Sequence, residues 1–432
     1  MVFFSPLRPR RNLRTAWLSW VGTIVFLFVS IPSRAAEGEA VSVIRVWCHQ
    51  GQAAENAAMN EIAQSFNLAH ASRGVRVDLT FFPDFQYTEK ISIAAAAKDL
   101  PDAFDLDGPL VARLVSAQLL HPLNQWFSPA ELADFLPTVL EQGSIGGQLY
   151  ALGAFESAVV LYFDRQLFAS AGVSAPRAGE AWTWPEFLAA CARFRRQGIE
   201  PVAMHMDESA DEWFTYAFSP VVWSGGGALI SADGTHVTGV LASVENIRTL
   251  TAWQHVFQQK FAATDPVDPD PFDRQNVAMD WSGHWMARAH LESKGEHLGA
   301  MPLPRIGDRA VAPCGSWCWG ISRQSRQPEL AALWLKWVTD VREGVIPIVR
   351  ANGAVPARRS AFASFPEYAH PPYSLFREQL EHTSRPRPRT PYYATLTQGF
   401  SAALRDIARG ADVATRLQTA EREIQRVIDR RR

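Results

Sequence analysis

The sequence predicts an α/β protein built as two lobes, and two observations carry that expectation. Stretches of β-branched alternation take turns with stretches of helical periodicity through the first third of the chain. Setting aside a 35-residue leader from the 432 residues leaves 397, more than one hydrophobic core usually holds.

The leader is read first. Arg8, Arg10, Arg11 and Arg14 form a basic head, and an apolar stretch spans 16–31. Ser33-Arg34-Ala35 then places small residues where a cleavage site needs them, so 1–36 reads as a secretory signal peptide. An uncleaved anchor is the alternative, but the apolar run falls short of the ~20 residues of a comfortable span. Arg10-Arg11 leaves both the general and the twin-arginine export routes open. No Cys closely follows the apolar run, so a lipid anchor is not expected.

Beyond the leader, 41–46 alternates as a strand, with 49–51 as the loop after it. Apolar residues Ala58, Ile62, Phe66 and Ala69 mark a helix over 55–68. A strand at 75–82, a helix at 87–97, a strand end at 102–107 and a helix at 111–119 follow. In open α/β sheets ligands sit at the carboxyl ends of strands, which singles out 49–51 and 105–108. Farther on, helices are expected at 184–196, 212–222, 243–257, 329–339 and most of 397–428, where Gly410 separates two segments. Strands are expected at 199–205 and 277–280, and 298–303 is an apolar run. Four prolines and four aspartates make 264–272 a loop, and the proline-arginine run 385–391 is extended.

The formal charge is −2, and removing the five arginines of the leader, which has no acid, brings it to −7. An acidic secreted body lacks the basic footprint that nucleic acid requires. Fifteen Trp and 25 Phe are core material in any globular protein. In a carbohydrate binder they are also flat platforms for the apolar faces of a pyranose. Cys48, Cys191, Cys314 and Cys318 sit in an oxidising compartment, and Cys314 and Cys318 are close enough to bridge across a turn. A zinc site is disfavoured because no second Cys or His pair accompanies them, and no cofactor is expected.

Six pieces then appear in one order: Leu161-Tyr162-Phe163-Asp164-Arg165 with Trp184-Pro185-Glu186-Phe187; Trp223-Ser224-Gly225-Gly226 with Asp233-Gly234; and Ala278-Met279-Asp280-Trp281-Ser282-Gly283-His284-Trp285. Met301-Pro302-Leu303-Pro304 precedes Cys314-Gly315-Ser316-Trp317 with Trp319-Gly320-Ile321-Ser322, and Arg387-Pro388-Arg389-Thr390-Pro391-Tyr392 closes the set. In this order the chain resembles the extracellular solute-binding proteins of ABC importers, in the sugar-binding cluster related to maltose-binding protein. It departs from the family pattern at Gly153, at Phe163-Asp164 and at Cys314. The resemblance implies a two-lobed, type II periplasmic-binding-protein fold with discontinuous lobes that close like a clam shell. Lobe one would take 37–153 and 304–345, and lobe two 154–303 and 346–432. The implied role is capture of a di- or oligosaccharide in the periplasm by a monomer, for delivery to the membrane permease of an importer. Glycerol 3-phosphate or a glycerophosphodiester is the alternative ligand, and a secreted glycoside hydrolase, which needs two carboxylates across the scissile bond, is the remote one.

The resemblance also nominates site residues, each with a structural alternative. Trp285 and Trp317 are stacking candidates against ordinary core, and Trp281 is balanced between the two. Asp107 follows a strand, where it either faces ligand or caps the next helix. Glu156 and Ser157 fall on the crossing strand, His49 and Gln50 in the first strand-end loop, and Arg387 near the C-terminal segment that reaches the cleft in relatives. Gly225, Gly226 and Gly315 would let backbone N–H groups approach the ligand.

Overall fold

A computed structural model describes residues 41–431 apart from 207–210, 267, 269 and 275. The expected leader and its cleavage site lie outside the described residues. Nine strands make two sheets: β1 (Ser42–Gln50), β2 (Val75–Pro83), β3 (Ala103–Asp107), β4 (Ala151–Leu152), β5 (Val159–Asp164), β6 (Glu200–Ala203), β7 (Val277–Gly283), β8 (Leu298–Met301) and β9 (Trp317–Ile321). The first sheet runs β2-β1-β3-β9-β4, and the second β8-β5-β7-β6. β1 is parallel to β2 and β3, whereas β9 is antiparallel to both its neighbours. In the second sheet β7 is antiparallel to β5 and parallel to β6.

Local chemistry accounts for the elements that frame these sheets. Helix Ala53–His70 buries Ala58, Met59, Ile62, Ala63 and Phe66, a stripe at helical spacing that lies on the first sheet. Helix Trp184–Arg196 opens with a reciprocal capping box between Thr183 and Glu186 and carries Pro185 in its first turn. Its Phe187, Cys191 and Phe194 join the core of the second sheet, with helices Asp211–Ser224, Val244–Gln258, Tyr393–Ala408 and Val413–Arg431. Gly410, at φ +102°, separates the last two.

Two strands run longer than their sequence pattern suggests, and both extensions matter. β1 continues to Gln50 because β2 keeps pairing with it, His49 opposite Phe82 and Gln50 opposite Pro83. β7 continues past Asp280 to Gly283, opposite β5. Residues expected in loops therefore obey strand alternation.

The chain passes between the sheets more than once. β4 ends at Leu152 and β5 starts at Val159; between them Phe155-Glu156 pairs with Val355-Pro356. The return lies between Met301 and Trp317. Helix Ile346–Asn352 packs on helix Ala53–His70, on the first-sheet side of the division expected at 345/346. Among the described residues, no helix is long and apolar enough to cross a membrane.

All four cysteines are free thiols, each 2% exposed or less. Cys314 ends the short strand Ala312–Cys314, while Cys318 lies within β9 and turns its Sγ to the Leu106 carbonyl oxygen, 3.4 Å away. Burial lifts every one of these thiols well above its ordinary pKa, which suppresses the reactive thiolate. A thiol reagent is therefore expected to leave the native protein unlabelled and to titrate four groups after denaturation; fast labelling of the native state would contradict this packing.

Candidate functional site

The elements converge on a cavity of about 560 Å³ between the two sheets. One wall comes from the first sheet and its helices. His49 stands at the end of β1, where its backbone N–H donates to Asp105 Oδ1 at 3.0 Å and its Nδ1 meets Asp105 Oδ2 at 2.5 Å. Its ring lies flat on Trp317, with centroids 3.7 Å apart and planes 4° apart. Nε2 lies 3.9 Å from Glu55 Oε1. Ser157, Gly315 and Ser316 line the floor. Gly315 takes φ +114°, a conformation that favours glycine, and Gln142 clamps the turn by hydrogen bonds to both the N–H and the carbonyl of Ser316.

The opposite wall comes from the second sheet. Glu212, Trp213 and Tyr216 project from the first turns of helix Asp211–Ser224, and Trp285 follows β7. A side chain at Gly283 would collide with the Trp285 ring at 2.1 Å, so glycine lets that ring lie over the strand end. Trp213 meets Trp285 edge-on at 6.0 Å, and Tyr216 tilts against Trp285 at 6.3 Å. His284 also lines the cavity; burial pushes it down to about 3, so it is a neutral imidazole.

Arg387 joins the walls. Its guanidinium donates two hydrogen bonds to Asp107 at 2.6 and 2.8 Å and one to Glu212 at 2.5 Å. Tyr393 donates to the same Glu212 oxygen, and the guanidinium sits 4.9 Å from the centre of the Tyr216 ring. Removal from water pushes Glu212 up to about 7 against the pull of Arg387, while Arg387 itself rises because Asp107 and Glu212 outweigh its burial. On the far side of Arg387 lies a second hollow of about 700 Å³, between Glu141, Trp223, Arg385 and Arg389.

Seven of the twelve nominated residues therefore meet at the first cavity: His49, Asp107, Ser157, Trp285, Gly315, Trp317 and Arg387. Five do not. Gln50 is exposed, since alternation turns it away from the face that carries His49. Trp281 is wholly buried, opposite Leu161 on β7, and donates Nε1–H to the Ala217 carbonyl at 3.1 Å. Gly225 and Gly226 follow the C-terminal end of helix Asp211–Ser224, about 20 Å from the end that faces the cavity. Gly225 packs there on Thr249 and accepts from Arg248. Glu156 lies behind the cavity wall, where one oxygen accepts the N–H groups of Ser157 (2.9 Å) and Gly315 (3.0 Å). It binds the crossing strand to the glycine turn. The helix-cap alternative for Asp107 is also excluded, because its side chain makes no capping bond.

Sequence reasoning missed Glu55, Glu212, Trp213, Tyr216 and Tyr393. Glu212, Trp213 and Tyr216 occupy one end of a helix recognised from its pattern, but nothing in the pattern said which end faces the cleft. Cys48, His49 and Asp105 offer ligand atoms within 4.8 Å of one another. Their contacts are those of a hydrogen-bonded knot: the 2.5 Å separation of His49 Nδ1 and Asp105 Oδ2 is shorter than two ligands of one zinc, roughly 3.2 Å, and the Cys48 thiol is held protonated.

Two α/β sheets joined by repeated crossings, with a cavity between them lined from both, define the two-lobed type II periplasmic-binding-protein fold. The chain belongs to the bacterial extracellular solute-binding protein family, whose model matches residues 51–343. It is 22% identical to the maltodextrin-binding protein MdxE of Bacillus subtilis (strain 168) over 342 residues, 76% of this chain and 77% of that protein. The cyclic alpha-maltosyl-1,6-maltose binding protein of Arthrobacter globiformis superposes with a TM-score of 0.77 at 20% identity, over 90% of this chain and 99% of that one. UgpB from Mycobacterium tuberculosis, in complex with glycerophosphocholine, superposes with a TM-score of 0.75 at 21% identity, again over 90% and 99%.

Two outcomes are expected from this geometry. Arg387→Met leaves Asp107 and Glu212 without their shared cation and should lower stability by about 3 kcal/mol, read from denaturant midpoints at neutral pH; an unchanged midpoint would remove the clamp. Glu156 carries the second. Burial raises it to about 7 from 4.5, so the folded state keeps a proton that the unfolded state releases. Stability should therefore fall as pH rises from 4.5 to 7 and then level off. Glu156→Gln should flatten that slope, and a slope as steep as in the wild type would refute the assignment.

Proposed function

We propose that the protein is the periplasmic binding component of an ABC importer, capturing a di- or oligosaccharide between two lobes and presenting it to membrane permease subunits. The observation that carries this reading is the pairing of half-buried aromatic rings with hydrogen-bonding groups around one cavity that both sheets line. Trp317, with one face covered by His49, lines the cavity from the first sheet and Trp285 from the second, together with Asp107, Glu212, Ser157 and Arg387. Pyranose rings need both features: apolar faces to stack and charge-assisted partners for hydroxyl pairs. The maltodextrin and maltosyl ligands in the names of the relatives support the same class.

In this proposal 37–153 with 304–345 form the core of one lobe and the remainder the other, with helix Ile346–Asn352 packed on the first. A ligand that touches both walls favours the closed arrangement by its differential affinity, and the permease then draws the lobes apart. The protein acts as a monomer, exported by its leader, and binds without turnover.

A glycerophosphodiester is the second reading, supported by the ligand of the Mycobacterium tuberculosis relative. Against it stands the charge of the cavity, where Arg387, the one lining guanidinium among the described residues, is already engaged by Asp107 and Glu212.

Titration calorimetry with saccharides of increasing length, glycerol 3-phosphate and glycerophosphocholine, with product analysis alongside, tests the proposal. A saccharide should bind without being cleaved, and Trp285→Ala or Trp317→Ala should each weaken it by about 2 kcal/mol. Cleavage, or phosphodiester binding alone, would overturn it.

A further inference from the structure

Several polar side chains that line the cavity already have partners within the protein. Asp107 and Glu212 share Arg387. Ser157 Oγ donates to the Gly315 carbonyl at 2.9 Å and meets the Tyr216 hydroxyl at 2.6 Å. Trp213 Nε1–H donates to the Met204 carbonyl at 3.3 Å.

His284 differs. It lines the same cavity and is 6% exposed, yet its Nδ1 is buried without a hydrogen bond among the described residues. The residue is firmly placed. Its backbone N–H donates to the Ala158 carbonyl at 3.1 Å, beside Ser157, and Gly283 before it pairs with Val159. The rings of Trp285 and Phe376 stand nearly perpendicular to the imidazole, at 5.3 and 6.4 Å. Phenylalanine would suit such aromatic surroundings, whereas a buried polar group left unpaired lowers stability. The free protein carries that cost, and a ligand that supplies the missing partner removes it.

The chemistry of the ring says what kind of partner fits. A neutral imidazole has one N–H and one lone pair. With Nδ1 closed off from any acceptor, the proton is better placed on Nε2, across the ring. We propose that His284 is a specificity-determining residue whose Nε2–H faces the cavity and donates to a hydroxyl oxygen of the bound saccharide. This rests on the saccharide reading above and deepens it. The contact lies beside Ser157, where the crossing segment meets the end of β7. A sugar with no oxygen at that place leaves the N–H unpaired, so the site rejects it by what it fails to satisfy.

Calorimetry with maltose, maltotriose, cellobiose and trehalose identifies the tightest-binding of these four probes, and the variants are compared with that sugar. His284→Phe keeps an aromatic ring but removes both nitrogens. It is expected to bind about 10-fold more weakly, equivalent to about 1.4 kcal/mol. The thermal midpoint of its sugar-free form should equal or exceed that of the wild type. His284→Gln, whose amide N–H reaches about as far as Nε2, should bind within about 3-fold of the wild type. Three results would overturn the proposal: unchanged affinity in His284→Phe, a parallel fall of its midpoint and affinity, or His284→Gln binding no better than His284→Phe. Should His284→Phe not fold, nitrogen NMR of the wild type labelled in histidine decides. The His284 proton should sit on Nε2, and that resonance should move when the sugar is added; a proton on Nδ1 or an unmoved resonance would overturn the assignment. Sugar binding that ignores His284 leaves the saccharide reading standing, whereas binding of none of the four probes would overturn the inference and count against that reading as well.

Discussion

A single guanidinium, 6% exposed, is held between carboxylates that belong to opposite sides of the molecule. Asp107 ends a strand of the first sheet, and Glu212 begins a helix packed on the second. A charge so deeply removed from water is tolerable only when its partners stay in place. Much else depends on those partners. Arg387 approaches the Gly315 carbonyl at 3.4 Å and covers the Tyr216 ring, whose hydroxyl in turn meets Ser157 Oγ at 2.6 Å. The floor and both walls of the cavity are thus drawn into one network.

Beside it, the crossing strand is fastened by a buried carboxylate. Glu156 collects two backbone N–H groups, one from its own neighbour and one from the glycine turn before β9. Its other oxygen is buried without a hydrogen bond among the described residues. That incomplete satisfaction explains why burial raises its proton affinity so far. The polar interruption in an otherwise apolar strand therefore has a divided purpose. Glu156 stabilises the crossing, and Ser157 reaches the cavity.

Much of the fold was legible because it rests on local rules. The stripe in helix Ala53–His70 and the glycine between the last two helices are short-range signals, and each marks its element to within a few residues. The site was less legible where strand length decided it. A strand ends where its partner stops pairing, and that partner is distant in sequence. β1 therefore runs through His49 and Gln50, and β7 through Trp281, although neither pattern demanded it. Once the extension is known, alternation turns His49 and Gln50 to opposite faces, whereas Trp281 lies in a strand buried on both faces.

By itself, the sequence determined the alternation of strands and helices, the need for more than one core, and an acidic body rich in aromatic residues. The ordered motifs also determined the family. Only the tertiary structure decided which of two tryptophans four positions apart, Trp281 and Trp285, faces the cavity. It alone turned the N-terminal rather than the glycine-rich end of helix Asp211–Ser224 toward it, and brought Glu55, Asp107, Glu212 and Arg387 together from segments up to hundreds of residues apart. The physical reason is the range of the forces involved. Helix and turn preferences act over a few residues, whereas a buried charge selects its partners by proximity in space.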